Sequence, residues 1–215
     1  MNRRAPPSNP QAPRASGQVR VIGGRWRGSK LPVVGVDGLR PTSDRVRETL
    51  FNWLQHDVAG ARALDLFAGS GALGVEAASR GAASVDLVEA SPVAAAALRD
   101  SVARLIRGSG DAGAGAAGDR SSEQRVSVHA TAAAAFLADA AARGKTFDLV
   151  FIDPPFAAGL WNATLAALVP CLAPRASVYV ESPPGTAVTL PAGWRLHREL
   201  ATRDARAVLY RVDAG

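Results

Sequence analysis

Between residues 61 and 213 the apolar positions of this chain fall into short runs separated by segments of helical character. ALDLF, SVDLVE, RVSVHA, FDLVFI and SVYVES are rich in Val, Leu, Ile and Phe and read as strands, with helix-length stretches between them. That rhythm predicts an α/β domain built on a mostly parallel sheet. WRLHREL and ARAVLYRV have no helix-length segment between them and predict an antiparallel pair, which brings the sheet to seven strands. The helices are expected from the glycine turn to Arg80, with Gly81 as C-cap, then to about Arg107, from Ala132 to Ala142, and from near Asn162 to Leu172. FDLVFI is apolar at nearly every position, as a central strand buried on both faces should be.

Upstream the pattern is different. VRVI and KLPVV flank Gly23-Gly24 and Gly28, which predicts a hairpin whose exposed face carries Arg25, Trp26, Arg27 and Lys30. After Pro41, Thr42-Ser43-Asp44 offers helix N-caps, and Val46, Leu50, Trp53 and Leu54 recur at i, i+4, i+7 and i+8. Residues 1–18 are Pro-, Ser- and Ala-rich and predict a disordered basic arm, while the Gly- and Ser-rich 108–124 predicts a flexible insertion. The expected organisation is therefore an arm (1–18), a hairpin-and-helix extension (19–60) and an α/β domain (61–215).

Charge sharpens that division. The net charge is +6, yet residues 1–47 hold ten Lys/Arg against Asp37 and Asp44, while the remainder holds fifteen against seventeen acidic residues. A basic segment on a nearly neutral body points to a polyanion, and Arg20, Arg25, Trp26, Arg27, Lys30, Arg40, Arg45 and Arg47 are the candidate RNA contacts. Trp26 between two arginines is a candidate base-stacking residue. The single Cys171 closes no internal disulfide, and no Cys/His cluster offers a metal its ligands. No apolar stretch reaches membrane-spanning length and no apolar signal core follows the N-terminal arginines. A cytoplasmic protein is expected, and nothing demands more than a monomer.

Two motifs carry chemistry. Asp65-Leu66-Phe67-Ala68-Gly69-Ser70-Gly71 stands where strand gives way to helix, and Gly69, Gly71 and Gly74 satisfy GxGxxG. Glu89 ends the next strand 20 residues after Gly69, where a carboxylate accepts from ribose hydroxyls. A dinucleotide and S-adenosylmethionine both fit that pair. The second motif, Asp153-Pro154-Pro155-Phe156, follows FDLVFI and decides for the methyl donor. Two prolines stiffen the loop and remove donors, so the Asp153 carboxylate and the Pro154 carbonyl stand as fixed acceptors for an amine, with Phe156 placed to stack on a base. A carboxylate only accepts, and guanine offers adjacent N1–H and N2–H donors where adenine offers an acceptor at N1, so Asp153 favours guanine.

RVIGGRWRGSKLP, LRPTSDRVRETLFNWL, LDLFAGSGALGVEAASRGA, FDLVFIDPPF, VYVES and WRLHRE together resemble the bacterial 16S ribosomal RNA guanine-N2 methyltransferases that modify guanine 966. The resemblance runs from Arg20 to Arg211 and implies a Rossmann-like class I methyltransferase fold, S-adenosylmethionine as cofactor, and 16S ribosomal RNA in the small subunit or its assembly intermediate as partner. It maps cofactor contacts onto Asp65, Phe67, Ala68, Gly69, Ser70, Gly71, Glu89 and Ala90, and catalysis onto Asp153, Pro154, Pro155 and Phe156. Members carry Asn or Asp near the end of the third strand to hold the adenine. Here that stretch is VHATAA, so Thr131 or His129, or a backbone N–H, takes the contact. Adenine N6 and a protein glutamine amide are the alternative acceptors, because related tetrapeptides serve both. His56, His129 and His197 form no triad, and Trp53, Trp161 and Trp194 are expected to pack in the core or on the surface.

Overall fold

The structure, a computed structural model, describes residues 15–34, 43–110 and 125–213. Two strands, β1 (Ala15–Arg20) and β2 (Lys30–Val34), make an antiparallel hairpin, followed by α1 (Asp44–Trp53). Then β3 (Arg62–Asp65), α2 (Ala72–Ser79), β4 (Ser84–Glu89), α3 (Pro92–Gly110), β5 (Arg125–Ala130), α4 (Ala133–Ala142), β6 (Phe147–Ile152) and α5 (Trp161–Leu168) alternate, before β7 (Leu172–Ser182), β8 (Trp194–Ala201) and β9 (Arg206–Val212).

The seven strands β3–β9 form one sheet in the order β5-β4-β3-β6-β7-β9-β8. Pairing is parallel from β5 through β7, and β9 runs antiparallel between β7 and β8. The chain winds outward from β3 to β5 and then returns to place β6 on the other side of β3. The crevice outside the carboxyl ends of β3 and β6 is therefore the switch point at which ligands bind in open α/β sheets. Both sequence motifs end there.

Each sheet face is sealed by helices. Leu50 and Phe51 of α1, Leu73 and Val75 of α2, and Leu98 and Val102 of α3 cover one face, while Phe136 and Leu137 of α4 and Trp161 and Leu165 of α5 cover the other. Val21, Trp26 and Leu31 of the hairpin belong to the first cluster, so the N-terminal extension shares the core of the α/β domain.

Three expected boundaries are corrected. The arm does not extend to residue 18, because Ala15, Gly17 and Gln18 pair with Val34, Val33 and Pro32, drawing a polar stretch into the ladder. Helix α3 continues past Arg107 to Gly110, into the predicted insertion, of which 111–124 lies outside the described residues, as do 1–14 of the arm. The fifth helix ends at Leu168, because Val169-Pro170-Cys171 tightens into a 3-10 turn and β7 starts at Leu172. Among the described residues no helix is long and apolar enough to cross a membrane.

Candidate active site

At the carboxyl edge of β3 the chain turns through Phe67 to Gly71. Gly69 (φ 51°) and Gly71 (φ 81°) occupy the left-handed region, which is why glycine is needed at both. Gly71 is the N-cap of α2 and provides no side-chain cap to its first turn, leaving a helix N-terminus suited to a carboxylate. Gly74 meets a different requirement: a Cβ there would lie 2.2 Å from Leu87 Cδ2, so its absence seats α2 against β4. The loop is tied to its neighbours by Leu66 N–H to Phe151 O at 3.1 Å and Ala68 N–H to Val88 O at 2.8 Å.

Asp65 is buried beneath this loop and accepts from Gly74 N–H at 2.9 Å. Burial pushes its carboxyl up to about 7 against the pull of the Gly74 and Phe67 N–H groups, and the nearby Glu89 charge adds to the rise. Asp65 thus braces the loop from below. Glu89, half-buried, closes the loop from the side, accepting from Gly69 N–H at 2.9 Å and Ser91 N–H at 2.7 Å. Thr131 N–H donates to Glu89 O at 3.1 Å, which brings the end of β5 beside the exposed Ala90. Phe67, Ser70 and Thr131 are half-buried around the same edge. His129 is drawn away from it: Nε2 meets Asp86 Oδ1 at 2.7 Å and the ring lies 4.8 Å from Phe136. Burial pushes the Asp86 carboxyl up, but hydrogen bonds from His129 and Lys145 outweigh it and hold the group below its usual range.

One strand over, β6 delivers Asp153, half-buried, with Pro154 buried behind it and Pro155 and Phe156 exposed. Phe156 is 41% exposed, unusual for a phenylalanine, and its ring lies 6.1 Å from the buried Trp161 ring at 51°. A ring presented to solvent on a stiffened loop beside a carboxylate is what stacking on an extruded base requires.

The basic residues divide sharply. Arg20, Arg25, Arg27, Lys30 and Arg45 are exposed, and Arg40 lies outside the described residues. Trp26 is 4% exposed and packs in the core, with the Arg25 guanidinium 4.2 Å over its ring, so the expectation that it stacks on RNA is corrected. The expectation for Arg47 is corrected too. It is fully buried and donates from Nη2 to Arg20 O at 2.9 Å and Asp44 Oδ1 at 2.7 Å, anchoring β1 to α1 instead of facing a ligand surface.

Residues unremarked in the sequence complete the arrangement. Glu76, fully buried in α2, accepts from Ile22 N–H (2.7 Å), Gly23 N–H (2.8 Å) and Arg80 Nε (2.7 Å), clamping the hairpin turn. Tyr179 and Glu181 of β7, the strand beside β6, are buried, and Tyr179 Oη donates to Glu181 Oε2 at 2.9 Å. A buried carboxylate is visible in a sequence only as a charge inside an apolar run, and VYVES is such a run.

The chain is similar to known proteins over most of its length. A family model described as conserved hypothetical protein 95 matches residues 19–211. The ribosomal RNA small subunit methyltransferase D of Escherichia coli K12 is 43% identical over 202 residues, 93% of this chain and 92% of that one. Its Haemophilus influenzae namesake is 38% identical over 194 residues, 89% of this chain and 93% of that one. The solved structure of the Escherichia coli yhhF protein superposes with a TM-score of 0.76 at 41% identity, covering 93% of this chain and all of that one.

Proposed function

Because this chain belongs to the conserved hypothetical protein 95 family, we propose that it transfers the methyl group of S-adenosylmethionine to the exocyclic N2 amine of a guanine in small-subunit ribosomal RNA. By resemblance that guanine is number 966, and the enzyme works as a monomer on the small subunit or its assembly intermediate. The observation that carries the reading is the joint placement, at one switch point, of a glycine loop with Glu89 and of a carboxylate beside an exposed aromatic ring.

The residues fit the cofactor. The first turn of α2, to which Gly71 gives no side-chain cap, suits an amino-acid carboxylate at the N–H groups that Asp65 does not take, Glu89 suits ribose hydroxyls, and Ala90 with Thr131 borders the place of an adenine. The cofactor supplies an electrophilic methyl group, and the chain's residues govern what meets it. Phe156 holds the base by its face while Asp153 and the Pro154 carbonyl accept from the N2 hydrogens, turning the nitrogen lone pair away from the ring system and toward the donor. Positive charge grows on N2 as the carbon–nitrogen bond forms, and the Asp153 carboxylate stands ready to stabilise it and to receive the proton that N2 must lose. Arg20, Arg25, Arg27, Lys30 and Arg45 hold the RNA backbone, with Arg40 assigned to the same group from sequence.

The test is to incubate the protein and labelled S-adenosylmethionine with undermodified small subunits and with naked RNA, then map the label. N2-methylguanine at one position is expected. Label on adenine N6 or on a protein glutamine overturns the assignment.

A further inference from the structure

Strands β6 and β7 run parallel with Phe151 opposite Tyr179 and Ile152 opposite Val180. Asp153 follows Ile152 directly and Glu181 follows Val180, so the paired strands carry both residues to the same end of the sheet. Glu181 is 6% exposed, in a place where charge is costly and an apolar pair would pack as well. Its connections lead to the reacting end of the molecule. The carboxylate accepts from Tyr179 Oη at 2.9 Å, and the backbone carbonyl accepts from Trp161 Nε1 at 2.8 Å. The Trp161 ring in turn backs Phe156.

We propose that Glu181 is a positioning residue for methyl transfer, setting Asp153 through the Tyr179–Glu181 pair and Phe156 through Trp161. The group that takes the amine and the ring that carries the base are then adjusted from a single residue. This rests on the reading of Asp153 and Phe156 given above. Burial, together with the charges of Glu181 and Asp153, pushes the Tyr179 hydroxyl well above its ordinary range, so the phenol keeps its proton and remains a donor to Glu181. Both carboxylates therefore act on the same hydroxyl, as adjacent groups must.

The two branches predict different kinetic signatures in the full-length enzyme. Tyr179→Phe and Glu181→Gln are expected to lower kcat about tenfold while KM for small-subunit RNA changes less than about twofold. Trp161→Phe keeps a ring beneath Phe156 but loses the indole donor, and is expected to raise KM for RNA about fivefold with a smaller change in kcat. Glu181→Ala should fall further than Glu181→Gln, whose amide oxygen still accepts from Tyr179. Calorimetric affinity for S-adenosylmethionine should stay within about twofold for Tyr179→Phe, Glu181→Gln and Trp161→Phe. Unchanged kcat in both Tyr179→Phe and Glu181→Gln overturns the proposal. So do losses in kcat that merely track losses in cofactor affinity and melting temperature. If Glu181→Gln does not fold, Tyr179→Phe, which removes one oxygen, decides. If the parent enzyme methylates an amine other than guanine N2, the substrate assignment fails, while the kcat and KM split on that other substrate still judges Glu181.

Discussion

Helix α2 has a glycine-rich turn at each end, and the two turns are put to opposite uses. At its N-terminus Gly69 and Gly71 bend the chain away from the helix at the carboxyl edge of the sheet, and Gly71 gives the first turn no side-chain cap of its own, the Gly74 N–H being met by Asp65 from below. At its C-terminus, about 12 Å away for eight residues, the Gly23-Gly24 turn of the hairpin closes down on the helix. Ser79 Oγ donates to Gly23 O and accepts from Trp26 N–H, while Ser79 O accepts from Arg25 N–H. Gly24 is required by contact as well as by its φ of 73°, since a Cβ would stand 1.9 Å from Ser79 O. One glycine turn starts the helix at the carboxyl edge of the sheet and the other spends its backbone on docking. Glycine content alone does not tell them apart.

The contrast breaks most cleanly at the open end. Asp153→Ala is expected to lower kcat by about 10²–10³-fold, the effect of removing one fixed group that stabilises charge in the transition state. The melting temperature should change by only a few degrees, because Asp153 is half-buried in a loop after β6 and not part of the packed core. Single-turnover methylation and thermal unfolding of the same preparation check both halves.

At the closed end the effect should be the reverse. Gly24→Ala places a methyl group against the Ser79 carbonyl in a left-handed conformation and should cost about 3 kcal/mol, or roughly 10 °C in melting temperature. Below the melting transition the variant should keep its affinity for S-adenosylmethionine. A loss of cofactor binding without loss of stability would erase the distinction between the two ends.

How much of this was legible beforehand depends on the range of the interaction concerned. Strands β4, β5 and β6 begin and end where their runs SVDLVE, RVSVHA and FDLVFI do: β4 and β6 are buried and mostly apolar along their length, while β5, at the sheet edge and half-buried, alternates Val126 and Val128 with polar residues. Gly69 and Gly71 were legible for a local reason too, since each takes a positive φ in its own turn. Trp26 and Arg47 were misread because neighbouring arginines suggest a surface, whereas the decisive contacts, Ser79 for the Trp26 backbone and Arg20 O for Arg47, lie tens of residues away. Glu181 was hidden in the same way: its partner Trp161 is 20 residues upstream, and only the sheet brings the pair to Asp153.

A subtler difference between the ends is electrostatic. The loop's buried Asp65 has a carboxyl raised to about 7, whereas in the unfolded chain it returns to about 3.8. Between those values the folded protein holds a proton that the unfolded chain has released, so this group's contribution to stability declines as pH rises from about 4 to 7 and is flat above. The expected loss is roughly 1–2 kcal/mol, less than 1.4 kcal/mol per unit implies, because a buried loop relaxes on ionisation. Groups such as Asp86 and Asp148, held low by their partners, act in the opposite sense, so the quantity to measure is the difference between the parent and Asp65→Asn across that window. A difference that does not change with pH would mean that Asp65 is ionised in the folded protein.

The smallest expected effects lie on the hairpin's outer face. Arg25 and Arg27 flank a tryptophan that belongs to the core, so their solvent-exposed guanidiniums are free of its structural duty, although Arg25 also shields the indole. If they meet phosphate, each substitution to Ala should weaken RNA binding by about 1 kcal/mol or less, for every RNA sequence alike, and reduce the salt dependence of binding by about one unit. Methylation at saturating RNA should be unchanged, since the contacts lie at the far end of α2 from Gly71. Trp26→Ala provides the counterpart: it should lower stability by about 3–4 kcal/mol while leaving the salt slope intact. A Trp26→Ala protein that stays stable yet loses RNA affinity would return this residue to the surface role that its neighbours in the sequence suggest.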